Sequence, residues 1–482
     1  MSKGFSRLGW MALFTFPLWG VLALLRDASF HELPALTSVL KFSFLQAFAS
    51  ALGAFILGIP VGVSLLNDKT QFNRMIRWVL FAFAGLPALF WISAVFWWSY
   101  QFQWVPRGYL PIVICHSFMN FALVALGFER ASRFTLGSYL DVALTMGMRR
   151  GPFWKNIALP LLAKDLALLF LVVFGFCFAS LSAPLVFSTP DLATLEVYIS
   201  RLGLREGRWN EALVLGGAQW IALATVLFFL PQRDLKIKAS SNQWGEVAGK
   251  LGLLLVVVPV LFLSLSLMNL FLEFLRIEFW QSFWMHFSWI AVFGTISVGG
   301  MATLFTLLTC WGLFLMGPDA FLRKFLLGYL SPSMALAALV MFLLPGNHWA
   351  WDLVKVGGAL ALLLFPALYR WTFDSHWRSL DRLWVQGEVL GGSPHWITKN
   401  IMVPNSLQTL CWMAGVAGIW AVTDFALPSL ILQRPLSLAM ASQAAFMSYQ
   451  ISIGQAYMLL CLLFGLAFLL VLKLLLRENP NV

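Results

Sequence analysis

Residues 147–160, GMRRGPFWKNIALP, share their pattern with residues 391–404, GGSPHWITKNIMVP. Both stretches begin with glycine and end with proline, and both carry Lys-Asn-Ile at the same place between them. The two leading glycines, Gly147 and Gly391, lie 244 positions apart. A chain that contains the same polar segment twice is predicted to consist of two related halves.

The rest of the chain is strongly apolar. Of its 482 residues, 60% are hydrophobic and 11% are charged, and the mean hydropathy is +0.82. Soluble domains carry roughly 25% charged residues, so a water-soluble fold of this composition would expose large apolar patches. We predict an all-α integral membrane protein, because the long runs are continuously apolar and do not alternate as β-barrel strands do.

Apolar runs long enough to cross roughly 30 Å of hydrocarbon, which takes about 20 helical residues, recur along the chain. We predict twelve transmembrane helices, near residues 8–25, 43–66, 76–97, 109–128, 164–187, 210–230, 251–272, 287–315, 325–345, 353–371, 408–432 and 454–476. Further matches at the same offset, such as Pro184 with Pro428, support a duplication. Because each half then holds an even number of spans, the two six-helix repeats are expected to be parallel.

The distribution of charge predicts the orientation. Most of the 32 lysine and arginine residues fall at the ends of runs that share one side of the membrane, and basic residues are retained in the cytoplasm. Both termini are therefore predicted to be cytoplasmic. The net charge of +11 is ascribed to contact with anionic lipid and needs no nucleic-acid partner. The halves are predicted at residues 1–232 and 251–482, with a cytoplasmic linker at 233–250.

The repeated segment is predicted to lie in the cytoplasm between the fourth and fifth span of each half. In the first copy Leu140, Ala143, Leu144 and Gly147 recur at helical spacing, which predicts a short helix ended by Gly147. We expect this helix to lie parallel to the membrane, and Pro160 to break the chain before span five. Such a helix either docks onto a two-fold symmetric soluble partner or lies on the membrane without one. Periodicity alone leaves both interpretations open.

DVALTMGMRRGPFWKNIALP, at residues 141–160, resembles the cytoplasmic signature of ATP-binding-cassette importer permeases. That signature is Glu-Ala-Ala, three further residues, glycine, and a proline thirteen positions after the glycine. Both copies keep the spacing from glycine to proline. The first copy starts with Asp141-Val142-Ala143, whereas the second has Val385-Gln386-Gly387 and lacks the acid.

The resemblance covers nearly the whole chain and is closest to the fused two-half permeases of thiamine and ferric-iron importers. KFSFLQAFASALG at residues 41–53 and FCFASLSAP at 176–184 favour thiamine over ferric iron. The resemblance implies a type I importer permease fold in the bacterial inner membrane. It also implies two cytoplasmic ATPase subunits and a periplasmic or extracellular binding protein as partners. Within segments 138–160 and 382–404, the implied ATPase-coupling residues are Asp141, Ala143, Leu144, Gly147, Pro160, Gly387, Gly391 and Pro404.

The source of energy is expected to lie outside the chain. No G-x-x-x-x-G-K-[ST] pattern occurs, so we expect no ATP site of the P-loop type; ATP and Mg²⁺ would bind the partner ATPase. The chain is expected to be a transport subunit and not an enzyme, without a cofactor of its own. The six histidines and five cysteines show no metal-ligand spacing. An ion-coupled carrier is the rival function, disfavoured because few carboxylates fall within the spans, and a membrane scaffold is a third.

Asp424 is the clearest interior carboxylate. Together with Thr423, and with Ser180 at the matching place of the first half, it forms the predicted substrate pathway. Asp424 would either attract a cationic ligand such as thiamine or serve packing and gating in span five. The second interpretation is favoured, because related permeases with anionic substrates also carry an acid before phenylalanine here.

Overall fold

The computed structural model describes residues 3–19, 36–66, 71–189, 191–228, 246–328, 333–344, 346, 348–432 and 434–477. Within these ranges the chain is helical, and the β-structure consists of one isolated bridge between Thr189 and Leu192. The prediction of an all-α fold is confirmed.

The helices are numbered in chain order. Before residue 240 they are α1 (Lys3–Thr15), α2 (Leu36–Ser64), α3 (Gln71–Gly85), α4 (Ala88–Gln101), α5 (Tyr109–Thr145), α6 (Arg150–Phe153), α7 (Leu159–Phe178), α8 (Ser182–Phe187), α9 (Leu195–Leu204) and α10 (Trp209–Phe228). After it they are α11 (Glu246–Glu273), α12 (Ile277–His286), α13 (Trp289–Met316), α14 (Ala320–Gly328), α15 (Met334–Leu343), α16 (Trp349–Leu368), α17 (Asp374–Val389), α18 (Pro394–Ile397), α19 (Val403–Thr423), α20 (Ala426–Ile431), α21 (Leu438–Met447) and α22 (Ile451–Arg477). Short π-helical segments lie at Trp154–Ala158, Tyr369–Phe373 and Thr398–Met402, and a 3₁₀ turn at Phe16–Leu18.

Eight helical stretches among the described residues are long and apolar enough to cross a membrane. They are Leu36–Ser64, Tyr109–Arg133, Gly151–Phe178, Leu254–Glu273, Trp289–Met316, Trp349–Leu368, Pro394–Thr423 and Ile451–Leu472. The bent pair α3–α4 would make a ninth. The chain is therefore a multi-pass α-helical membrane protein, while the number twelve stays a prediction.

Of the remaining predicted spans, two are divided between two helices and one forms a single helix. The run near 76–97 forms α3 and α4, which meet at an angle of 93° beside Pro87, a residue that cannot donate a helical hydrogen bond. The run near 325–345 is divided between α14 and α15, and the run near 210–230 forms α10. Residues 20–25 of the first run, and residues 233–245 of the predicted linker, lie outside the described ranges.

Two compact units divide the chain by its internal contacts. The α2 unit comprises Ala35–Leu195 and Leu230–Leu275. Its core contains Ala47, Ala51 and Val124, from α2 and α5. Helix α11 belongs to this unit, and the Trp98 indole N–H of α4 donates to the Phe262 carbonyl of α11 at 3.0 Å.

The α13 unit comprises Met1–Pro34, Glu196–Phe229 and Arg276–Val482. Its core includes Val298, Val356 and Leu427, from α13, α16 and α20. Helix α1 belongs here, with the rings of Phe14 and Phe365 5.6 Å apart. Helix α1, which opens the predicted first half, thus belongs to the unit that holds most of the second half. Helix α11, which opens the predicted second half, belongs to the unit that holds most of the first. The two halves themselves stay a prediction.

Candidate functional site

The first repeated segment consists of a helix end, a left-handed glycine and a new helix. Helix α5 ends at Thr145, and the Met148 amide donates to the Ala143 carbonyl at 3.0 Å. Between these residues Gly147 has φ +65°, a conformation that costs other L-residues about 1–2 kcal/mol. A bond from just beyond the glycine back into the last helical turn is the Schellman arrangement that ends helices. The prediction that Gly147 ends the helix is confirmed.

The second repeated segment has the same turn. Gly391 has φ +80°, and the Gly392 amide donates to the Gly387 carbonyl at 2.9 Å. This bond joins the same two positions, relative to the turn glycine, as the bond in the first segment. The Ser393 hydroxyl then accepts a hydrogen bond from the Trp396 amide at 3.2 Å and caps α18.

Each turn is followed by a π-helical segment and then a proline. Pro160 follows Trp154–Ala158 at the start of α7, and Pro404 follows Thr398–Met402 at the start of α19. A proline within a helix lacks an N–H, and its ring clashes with the carbonyl four residues earlier; in both copies that carbonyl belongs to the π segment, and the helix continues. The chain is therefore helical through both prolines, and the expectation that Pro160 breaks the chain is wrong.

The helix that enters the first turn is also not a separate short helix, and its orientation to the membrane stays a prediction. Helix α5 is continuous over 37 residues, a length of about 55 Å at 1.5 Å per residue. It unites the predicted fourth span with the predicted surface helix. In the second copy α16, the π segment Tyr369–Phe373 and α17 follow one another in the same way.

Small residues beneath the turns permit close packing. Ala143 is 3% exposed and lies in an apolar cluster with Phe153. A Cβ added to Gly387 would lie 3.0 Å from Cγ1 of Ile397 and 3.3 Å from Cδ1 of Ile401, a tighter approach than most Cβ atoms make. The helix before each turn therefore contacts the segment after it.

Apolar side chains project from both turns. Val142 and Met146 are 56% and 77% exposed in the first turn, and Val389 and Leu390 are 80% and 85% exposed in the second. Clustered exposed apolar side chains are typical of contact surfaces. We call residues 142–148 and 386–392 the docking turns.

The remaining residues of the predicted coupling set lie on the helices before and after the docking turns. Pro160 is exposed and Pro404 is partly exposed at the starts of α7 and α19. The backbone of Asp141 and Leu144 lies in α5, and their side chains lie outside the described part of the structure. The periodicity of the sequence did not identify the four exposed apolar residues as a group. They lie in the last turn of α5 or α17, or just after it.

Ser180 of the predicted pathway lies in the break between α7 and α8, within the α2 unit. Its hydroxyl forms a hydrogen bond of 3.0 Å with Nε2 of His116. The side-chain amide of Asn120 donates to the His116 backbone carbonyl at 2.9 Å, and the side-chain amide of Gln46 donates to the Cys177 backbone carbonyl at 3.0 Å. Polar side chains of α2 and α5 therefore form hydrogen bonds at this break and next to it.

Thr423 and Asp424 lie at the matching break, between α19 and α20, within the α13 unit. Oδ2 of Asp424 accepts a hydrogen bond from the Leu427 backbone N–H at 3.0 Å, so from one residue before the N-cap, Phe425, the carboxylate satisfies an N–H in the first turn of α20. The Thr423 hydroxyl donates to the Ile419 carbonyl at 2.7 Å. Both side chains thus have local backbone partners, which favours the packing interpretation of Asp424.

Glu196, on α9, is a carboxylate that sequence reasoning missed. It is fully buried. Its Oε1 accepts a hydrogen bond from the side-chain amide of Gln219 at 2.9 Å, and its Oε2 accepts one from the backbone N–H of Ala335 at 3.0 Å. Ala335 is in the first turn of α15, where N–H groups lack helical partners. Glu196 therefore holds the start of α15. The available signal was one acid inside the apolar run TLEVYIS.

A cavity of about 400 Å³ lies within the α13 unit, with polar groups from His286, Ser288, Gln450 and Tyr457 in its lining. It contains none of the predicted pathway residues. Among the described residues, no group of three or more His, Cys, Asp or Glu side chains is placed to hold a metal ion. All five cysteines are free thiols.

Comparison of the chain with protein-family models, curated proteins and solved structures returned no match. The functional assignment therefore rests on the geometry of the docking turns and on the signature that they carry.

Proposed function

We propose that the chain is the membrane-spanning permease subunit of an ATP-driven, binding-protein-dependent importer. The observation that carries this proposal is the pair of docking turns. Each has a left-handed glycine, the same bond across it and projecting apolar side chains. Two matched turns in one chain suit a partner with two equivalent grooves, and a pair of ATPase subunits has that symmetry.

The architecture proposed for this function is twelve spans in two parallel repeats, in the bacterial cytoplasmic membrane with both termini inside. Structural elements that recur 244 positions apart support the repeat. They are α6 and α18, the π segments Trp154–Ala158 and Thr398–Met402, and α8 and α20. Recurrence of a π segment is informative, because π segments are rare and are favoured at functional sites.

In the proposed cycle the docking turns transmit movement of the ATPase subunits to the spans. ATP binding would bring two cytoplasmic ATPase subunits together and move the turns that contact them. The spans would then open toward a substrate-loaded binding protein outside. No covalent step takes place in this chain, and hydrolysis occurs in the partner subunits.

Thiamine is the proposed substrate, and ferric iron is the alternative. Support for thiamine comes from the segments at residues 41–53 and 176–184. The Ser180 hydroxyl and the His116 imidazole offer polar contacts at the first break; Thr423 and Asp424 at the matching break add no support, because their side chains are bonded to local backbone.

An ion-coupled carrier is the second candidate, favoured by the burial of Glu196. A carboxylate buried in a membrane protein is a functional-site hypothesis by default. Here both of its oxygens already accept hydrogen bonds from Gln219 and Ala335, which supports a structural role. Uptake driven by a proton gradient without ATP would favour the carrier.

Uptake into liposomes tests the proposal. Liposomes would hold this chain, its co-purifying ATPase and its binding protein, and would receive labelled thiamine or ferric iron with ATP. Met146→Asp and Leu390→Asp are expected to abolish ATP-dependent uptake, because a charge replaces an apolar contact in each docking turn. Val105→Asp is the matched control, since Val105 is 63% exposed and lies outside both turns. Equal uptake by all three variants would reject the docking role.

A further inference from the structure

Glu129 joins three helices of the α2 unit. It lies on α5, is 7% exposed, and accepts hydrogen bonds at Oε1 from Nε of Arg77 at 2.8 Å and from Nε of Arg133 at 2.9 Å. The two arginines also donate from Nη2 to the Leu65 carbonyl just beyond α2, at 2.9 and 2.7 Å. Arg77 belongs to α3, so this network ties α3 and the end of α2 to the helix that leads into the first docking turn.

Arg323 makes a comparable connection in the α13 unit. It lies on α14, and its Nη1 donates to Oδ2 of Asp381 on α17 at 2.7 Å. Its Nη2 donates to the other oxygen, Oδ1, so the pair is bidentate. The guanidinium carbon also lies 4.9 Å from the centre of the Trp377 ring. With 11% of its side chain exposed, Arg323 is held by a planar carboxylate and an aromatic face, an arrangement that lysine cannot reproduce.

The two connections share one layout. In each, an arginine comes from the helix that follows a long candidate span, α3 after α2 and α14 after α13. In each, the carboxylate comes from the helix that ends at a docking turn, α5 or α17. Exposed ion pairs contribute little to stability, whereas a partly buried pair costs more to break. Glu129 is 7% exposed and the Arg323 side chain is 11% exposed, so each pair resists separation of the two helices that it joins.

We propose that Arg77–Glu129 and Arg323–Asp381 are positioning contacts that pass movement of each docking turn to the helix after the preceding long span. This inference rests on the proposed function, because the movement is the one that a partner ATPase would impose. The residues touch neither substrate nor partner; they act through the helices that they join.

The chain offers a matched control on α17. Arg378 donates to Asp374 four residues earlier on the same helix. This pair has the same chemistry, and both of its residues lie on α17. Its loss is expected to leave the docking turn in place.

The experiment uses a nitroxide label on Val389→Cys, because Val389 is 80% exposed in the second docking turn. The background is Cys411→Ser, since the other four cysteines are buried. The variants are Arg323→Gln, Asp381→Asn, the two combined, and Arg378→Gln. Label mobility is measured in nanodiscs without a partner, and stimulation of the co-purifying ATPase is measured separately.

Each single variant is expected to increase label mobility and to reduce ATPase stimulation by roughly tenfold, and the double variant is expected to reduce it no further, as for two residues that act as one pair. Arg378→Gln is expected to match the wild type in both measurements. Unchanged mobility in Arg323→Gln and Asp381→Asn, or losses that multiply in the double variant, would overturn the positioning role. If the wild-type chain stimulates no ATPase, the proposed function fails, and the mobility data still decide the role of the pair.

Discussion

Replacing Gly147 with alanine should loosen the first docking turn without creating a clash. A Cβ added at this position meets nothing within 4 Å, so the cost arises from the backbone alone. With φ at +65°, an alanine pays about 1–2 kcal/mol relative to glycine. A penalty of that size raises the population of the opened turn by roughly 5–30-fold.

Gly151→Ala is the matched control. Gly151 also has open space around the position of a Cβ, but it lies in α6 and its φ is not positive. No stabilisation of the helix is expected from alanine there, because the ring of the following Pro152 disfavours helical backbone at a residue that carries a Cβ. Gly147→Asn should fall between the two, because asparagine tolerates the left-handed region better than alanine does.

Hydrogen–deuterium exchange of the Met148 amide measures the effect, because this amide donates across the turn to the Ala143 carbonyl. We expect exchange in Gly147→Ala to be faster than in the wild type by roughly the same 5–30-fold factor, and exchange in Gly151→Ala to be unchanged. Equal exchange rates in the two alanine variants would refute the argument that the left-handed conformation holds the turn.

Three further substitutions test other parts of the structure. Glu196→Gln should destabilise the protein by about 1–3 kcal/mol, since the NH₂ group of the new glutamine would face a donor from Gln219 or Ala335. The unfolding temperature in detergent measures this loss, and Glu206→Gln, at a more exposed glutamate, is the control. Asp424→Ala should lose about 1 kcal/mol of capping energy, whereas Asp424→Asn should keep it; normal stability but abolished thiamine uptake in Asp424→Asn would instead support the ligand-attracting interpretation. Gly387→Val should reduce ATPase stimulation by crowding Ile397, and unchanged stimulation would contradict the close-packing argument.

Composition and spacing were sufficient for the coarse fold and for the turns. Continuous apolar runs predicted membrane helices, and the glycines of two matching segments predicted helix ends, because left-handed backbone is a local property of glycine. The length of the helix before the first turn could not be predicted in the same way. The fourth span was predicted to end near residue 128, but α5 continues to Thr145, and the carboxylate of Glu129 within it is paired with Arg77 and Arg133.

Polar contacts between residues far apart in the chain could not be predicted from the spacing of residues either. Glu196 and Ala335 are 139 positions apart, and Arg323 and Asp381 are 58 apart. Such partners meet only when the helices that carry them pack together. The aspartate selected from the sequence, Asp424, has instead a partner three residues away, a capping pattern that a break before a short helix could have indicated.

The π segment Trp154–Ala158 sets the rotational phase between the first docking turn and the membrane. A π turn holds one more residue than an α turn, so everything after it is rotated by roughly 100° relative to an uninterrupted α-helix, which has 3.6 residues per turn. The stripe of α7 that faces lipid therefore cannot be extrapolated from the face of α6. Deleting one residue from this segment would return it to α geometry and leave the side chains of the following span facing their present neighbours, whereas the same deletion within α7 would rotate every later side chain by roughly 100°.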